Sequence, residues 1–293
     1  MKNKLSFFIS VGVLFLFSTA CNNNQTNQEE QTVTMMSYNI RYDNPGDSLN
    51  NWNYRKAQLV NEVLFYNPDF MGIQEGLVDQ VQYLSKHLTD RKYIGVGRKD
   101  GKEGGEYSAI FYNAKKYTLV AGSDSTIWLS ETPGKPSVGW DAVLPRILTW
   151  GKFKSNETGR VVYVFNTHYD HIGDTARANS SKLIVHTIKK VAQGEGAILS
   201  GDFNVTRERK PYQIIENSFM KDAFKISKLP PIGPKFTFAG FEVCPGASHG
   251  DRIDYIFINN KFNVKKAATI SNMRNGHFLS DHLPIFSVLE WTK

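Results

Sequence analysis

Apolar positions recur in two rhythms along the chain. In "WNYRKAQLVNEVLFY", residues 52–66, Leu59, Val60, Val63 and Leu64 share one face at helical spacing, which predicts an amphipathic helix. "VDQVQYLSKHL" (78–88) repeats that pattern, and so does "TARANSSKLIVHTIKKVAQ" (175–193), with Leu183, Ile184, Thr187, Ile188 and Val191 inward. The rest reads as short strands with glycine-rich turns. They are "TVTMMSYNIRY", "NPDFMGIQE", "YIGVG", "EYSAIFYN", "YTLVAGSDSTIWL", "AVLPRILTWGKFK", "RVVYVFNTH", "EGAILS", "FTFAGF", "RIDYIFIN", "VKKAATIS" and "LPIFSVLEW". Strands outnumber helices and both run through the whole length. Two sheets packed face to face, with helices on the outside, would bury this pattern.

Polar residues gather where the strands stop. Asn39 ends the first strand and Glu75 ends "FMGIQ". His168, Asp170 and His171 follow "VVYVFNT", Asp202 and Asn204 follow "AILSG", and Asp281 and His282 precede the last strand. If "GDFN" stays extended, Asp202 and Asn204 point the same way. Asp254 differs, because in "RIDYIFI" it shares a strand face with Ile256 and Ile258. A carboxylate there needs a partner. Taken singly, each position could cap a turn or be solvated. Taken together, short apolar strands repeatedly deliver Asn, Glu, His or Asp to their ends.

The N-terminus belongs to a different kind of sequence. Lys2 and Lys4 precede "LSFFISVGVLFLF" (5–17), an uncharged apolar run of secretory-signal length, which ends in "STAC". The expectation is a lipoprotein signal over 1–20, with Cys21 lipidated, a tether over 21–31 ("CNNNQTNQEEQ") and one catalytic domain over 32–293. Besides Cys21 the chain has Cys244 alone, so the mature domain has no internal disulfide framework. Net charge is +7, of which Lys2 and Lys4 supply two. A moderately basic surface suits anionic ligands without identifying one.

"MSYNIR", "GIQE", "NTHYDH", "GDFN", "RIDYIF" and "SDHLP", in that order, resemble the blocks of the endonuclease/exonuclease/phosphatase superfamily over residues 33–291. "GPKFTFAGFEV" and "WDAVLPRILTW" are similar to its deadenylase-like bacterial branch. The resemblance implies an α/β four-layer sandwich of two mainly antiparallel sheets flanked by helices, with the site at one end of the sheets. It implies a Mg²⁺-dependent phosphoester hydrolase, with Mn²⁺ as a substitute, in which an activated water attacks in line. By position it makes Glu75 the main metal ligand, with Asn39 and Asp281 close to the metal. Asp202 activates water, Asn204 and His168 hold phosphate, and Asp254 pairs with the phosphate-contacting His282. Arg146, Asp170, His171, Arg177 and Phe241 are candidate substrate contacts, and Phe238 a candidate stacking ring. An exported, membrane-anchored monomer of the bacterial envelope would meet nucleic acid, nucleotides, lipid head groups or phosphorylated glycans.

Two other readings stay open. "THYDHIGD" (167–174) resembles the H-x-H-x-D-H-x-G motif of dinuclear zinc hydrolases of metallo-β-lactamase type, but Asn166 stands where its first His belongs. A non-catalytic, ligand-binding surface lipoprotein would use the same scaffold without turnover.

Overall fold

The computed structural model describes residues 32–241 and 252–292. The first half runs β1 (Thr32–Asn39), α1 (Trp52–Tyr66), β2 (Phe70–Gln74), α2 (Val78–His87), β3 (Arg91–Ile94), β4 (Ile110–Asn113), β5 (Tyr117–Leu119), β6 (Ser125–Trp128) and β7 (Ile147–Ser155). The second half runs β8 (Val161–His168), α3 (Asp174–Ala192), β9 (Gly196–Asp202), α4 (Lys210–Glu216), β10 (Lys221–Asp222), β11 (Asp254–Ile258), β12 (Phe262–Thr269), β13 (Met273–Arg274), β14 (His277–Phe278) and β15 (Ile285–Trp291).

These elements form two large sheets, ordered β12-β15-β1-β2-β4-β3 and β10-β11-β9-β8-β7-β5, with β6 paired to β7. Each sheet contains one parallel pair, β1 with β2 and β8 with β9, and is otherwise antiparallel. Three apolar layers hold them. Val33, Met35, Phe70, Phe153, Val164, Ile256 and Ile285 fill the space between the sheets. The outer face of the first sheet packs on α1 and α2 through Tyr38, Ile73, Leu59 and Leu84. The outer face of the second packs on α3 and α4 through Phe165, Ile184, Tyr212 and Phe257. The result is the four-layer α/β sandwich the residue pattern predicts.

Helix α1 starts where the Asn51 side chain accepts from Asn53 N–H, and ends where Asn67 turns left-handed at φ 42°. Its expected inner face holds at Leu59, Val60 and Val63, but Leu64 is exposed. "FTFAGF" is not a strand. It contributes a single bridge, Phe238 to His282, and the Phe238 ring is half exposed. The run 117–129 breaks into β5 and β6, and 142–146 is a loop leading into β7. Cys21 and Cys244 lie outside the described residues.

Beneath the strand ends that carry Asn39, Glu75 and Asp202, a polar seam joins the two sheets. Gln74 Nε2 donates to Asn166 Oδ1 (2.8 Å) and to Ser37 Oγ (3.2 Å). Asn166 Nδ2 donates to the carbonyls of Ile73 and Ala109 on the opposite sheet. The sheets approach so closely here that a Cβ on Gly72 would lie 2.4 Å from Ser200 Oγ.

Candidate active site

Strand register assembles the first half of the site. His168 is opposite Asp202 across the parallel β8–β9 pair, and Asp202 is opposite Asp254 across the antiparallel β9–β11 pair. Three strand ends therefore set three ionisable groups in a row. The second half comes from the other sheet: Asn39 at the end of β1, Glu75 just after β2, and Asp281 and His282 just before β15.

Asn39 joins the halves. Its Nδ2 donates to Glu75 Oε1 (3.1 Å) and to Asp202 Oδ2 (3.0 Å), and its Oδ1 accepts from Arg41 N–H. Glu75 also accepts from Tyr42 N–H (3.2 Å) and sits at φ 64°. That left-handed conformation is strained for a glutamate and places its carboxylate over the strand end. Asp281 faces Arg41 Nη1 at 3.6 Å. Arg41 is itself held by two bonds to Asp47, and Asp47 with the nearby carboxylates Asp281 and Glu75 outweighs burial and leaves it firmly charged. Burial raises Asp281 above the usual carboxylate range, opposed by His282 and reinforced by Glu75. Arg55, a residue without a conspicuous sequence signal, is buried and donates to the carbonyls of Ile40, Arg41 and Leu279. It thereby fixes the backbone next to Asn39 relative to that next to Asp281.

Glu75 and the nearby Asp281 supply carboxylate oxygens, and the Asn39 carboxamide beside them offers one more, Oδ1. Such a set fits a hard divalent cation such as Mg²⁺, which needs one or two carboxylates and keeps several waters. Asp202, Asp254 and His282 also offer ligand atoms within 4.8 Å of one another. That trio is a poor cation cage. Asp254 Oδ2 is taken by His282 Nδ1 at 2.9 Å. Burial opposes charge on His282, but Asp254 and Asp202 outweigh it and hold the imidazole protonated well above its ordinary range. A cationic ring next to Asp202 suits an anion.

Asp202 Oδ1 accepts from Asn204 N–H (2.9 Å), and Oδ2 lies 3.7 Å from His282 Nε2 and 3.5 Å from His168 Nε2. Burial and Asp254 push Asp202 up to about 7, against His282, Asn204 and Asn39. A carboxylate poised there is matched to proton transfer near neutral pH. The segment after Asp202 is not extended: Asn204 turns left-handed at φ 48° and meets His168 by that turn, not by strand alternation. Asn204 Nδ2 donates to His168 Nε2 (3.1 Å) and to the Tyr169 carbonyl (3.0 Å). Burial, then Arg146 and Arg98, keep His168 neutral. One histidine is charged and the other is not.

The remaining candidates fall into different places. Arg146 is buried beside the centre, and its Nη2 donates to Nδ1 of the exposed His171 (3.1 Å). Asp170 is buried and occupied, accepting from the backbone of Ile172, Gly173 and Val143. Arg177 pairs with Asp174 and the Asp170 carbonyl at the start of α3, away from the catalytic row. Phe241 stacks 5.6 Å from the Arg55 guanidinium, while Phe238 stands edge-on to His282 at 5.1 Å. Asn166, the residue out of place in the zinc motif, is committed to the seam between the sheets. Arg98 and Glu106 carry no signal in the sequence. They sit at the two ends of a glycine-rich hairpin with no periodicity to mark them.

A family model described as endonuclease/exonuclease/phosphatase matches residues 36–282. Among solved structures, the endonuclease/exonuclease/phosphatase from Bacteroides vulgatus is 40% identical, with a TM-score of 0.85 over 89% of this chain and 99% of that one. A mannosyl-6-phosphatase from Bacteroides thetaiotaomicron is 36% identical, with a TM-score of 0.83 over 88% of this chain and 100% of that one. The human Nocturnin catalytic domain shares the fold at 20% identity, with a TM-score of 0.70 over 89% of this chain and 94% of that one.

Proposed function

The chain belongs to the endonuclease/exonuclease/phosphatase family, whose members are metal-dependent phosphoester hydrolases, and on that premise we propose that it hydrolyses a phosphoester with Mg²⁺ by in-line attack of an activated water. The observation that carries the proposal is Asn39, whose one amide touches both Glu75 and Asp202. A cation held by Glu75, Asn39 and Asp281 is thereby the immediate neighbour of a water-activating carboxylate. When bound, Mg²⁺ neutralises charge on the phosphoryl and leaving oxygens. Asp202 takes the proton of the attacking water, Asn204 and neutral His168 orient the phosphoryl group, and cationic His282 donates to one of its oxygens. Asp254 supports that charge from behind.

The likeness to a mannosyl-6-phosphatase over nearly the whole chain favours a phosphorylated glycan over nucleic acid, nucleotide or lipid head group. We extend the proposal to place: an exported monomer tethered to the bacterial envelope through lipid on Cys21. The oxygen donor set and the committed Asn166 favour Mg²⁺ over a dinuclear zinc centre.

The test is a panel of sugar phosphates and phosphodiesters with purified protein. Hydrolysis should require Mg²⁺ or Mn²⁺, stop with EDTA and return on readdition. Glu75→Gln should raise the Mg²⁺ concentration for half-maximal rate by at least about tenfold, since a charged ligand is lost. Full activity in excess EDTA would refute the reading.

A further inference from the structure

Beside His168 the structure gathers more buried hydrogen-bond donors than acceptors. Arg98, Arg146 and His168 are each more than nine-tenths buried and close with Glu106 around one crevice, too tight to hold a water while Glu106 stays in place. Nη1 of Arg98, Nε and Nη1 of Arg146 and Nδ1 of His168 are closed off from solvent and make no hydrogen bond. The acceptors nearby are spent or distant. Glu106 Oε1 takes Arg98 Nη2 at 2.5 Å, while Oε2 is 3.8 Å from His168 Nδ1. Asp170 Oδ2 is 3.7 Å from Arg146 Nε and already accepts from Val143 N–H. A buried cationic donor left unpaired is costly, and three guanidinium donors around one crevice, with the neutral His168 Nδ1 beside them, mark a place that an anionic acceptor completes.

The cleft adjoins the catalytic centre through the His168 ring, which turns Nε2 to Asn204 and Asp202 and Nδ1 to the cleft. A phosphodiester presents two unesterified oxygens and one negative charge; a monoester presents three and, near neutral pH, up to two. We propose that Arg98 and Arg146 receive the extra oxygen and second charge of a phosphate monoester, with Glu106 as the internal carboxylate that the substrate displaces. Forked guanidinium donors suit a phosphoryl group better than an ammonium does. Glu106 is the most exposed member of the cluster, its side chain at 18%, so it is the one free to leave. The site therefore selects monoesters over diesters. This rests on reading the chain as a phosphoester hydrolase, so its test includes a measurement independent of turnover.

Binding of inorganic phosphate and of dimethyl phosphate to the purified chain with Mg²⁺ is measured by calorimetry, alongside hydrolysis of 4-nitrophenyl phosphate and bis(4-nitrophenyl) phosphate. Arg98→Gln should weaken phosphate about 10- to 100-fold, dimethyl phosphate far less, and lower the monoester-to-diester ratio of kcat/KM in step. Glu106→Gln should change phosphate affinity in the opposite direction, because it removes the competing charge. Arg98→Lys should recover part of the loss, and Arg146→Gln replaces Arg98→Gln if that variant does not fold. Equal weakening of both anions, or weaker phosphate binding in Glu106→Gln, would show a purely structural ion pair and overturn the proposal. Selective phosphate binding without hydrolysis of either ester would instead retain the subsite and refute the hydrolase reading.

Discussion

Asp254 Oδ2, at the start of β11 in one sheet, lies 2.9 Å from Nδ1 of His282, in the loop that leads into β15 of the other. Burial disfavours charge on His282, yet the Asp254 and Asp202 carboxylates raise its pKa well above the ordinary histidine range. In Asp254→Asn the larger of those supports is gone, so the imidazole loses its proton at lower pH. The alkaline limb of the pH–rate profile should move to lower pH, with the deficit growing as pH rises. An unchanged profile at near-normal rate would reduce Asp254 to a structural residue.

Asp202→Asn keeps the side-chain shape and removes the proposed base. Its neighbours Asn39, Asn204, His168 and His282 supply contacts that do not depend on proton transfer. Turnover should fall by about 10²–10⁴-fold with Mg²⁺ affinity nearly unchanged. Metal titration beside single-turnover rates checks it; a loss confined to metal affinity would place Asp202 in the cation site instead.

Away from the centre, Glu62 on α1 is buried and accepts from Asn272 Nδ2 (3.0 Å), and burial pushes its pKa up to about 7. Its native state binds a proton more tightly than the unfolded chain does. Stability is therefore higher below the unfolded value of about 4.5 and falls as pH rises towards 7. Glu62→Gln should stabilise the protein by on the order of 2–3 kcal/mol above pH 7 and by almost nothing near pH 4. Urea unfolding at the two pH values reads this directly; an equal effect at both would mean that charge is not the cause.

Cys21→Ser should release the protein from the membrane fraction of expressing cells without changing the midpoint of thermal unfolding. Persistent membrane partitioning of that variant would show that lipid on Cys21 is not the anchor.

Much of this architecture is legible in the chain because its strands are short and end in polar residues. Asn39, Glu75, His168, Asp202 and Asp281 each stand at or next to a strand end, and strand ends are where side chains escape the core. Asp254 is legible for the opposite reason: a carboxylate among Ile256 and Ile258 demands a partner, and His282 supplies the contact. What periodicity cannot carry is anything set by backbone turns or by remote chain. Asn204 reaches His168 through a left-handed residue, which no alternation rule anticipates. Arg55 looks like one more polar residue on an amphipathic helix until the chain returns at Leu279. "FTFAGF" has strand composition but makes one bridge and buries Thr237 alone, because its partner is the segment at His282 and not a sheet edge.

The seam formed by Gln74, Asn166 and Gly72 has a mechanical consequence. In the proposed mechanism water activation comes from one sheet and cation binding from the other, so their joint action depends on how far each sheet can slide over its neighbour. Apolar side chains resist separation but tolerate slip, whereas the Asn166 amide, bonded to the Ile73 and Ala109 carbonyls and accepting from Gln74, registers one sheet against the other like a dowel. Loosening it, as in Asn166→Ala, would leave each half of the centre intact and misalign them, so that metal and phosphate still bind separately while their joint action is lost.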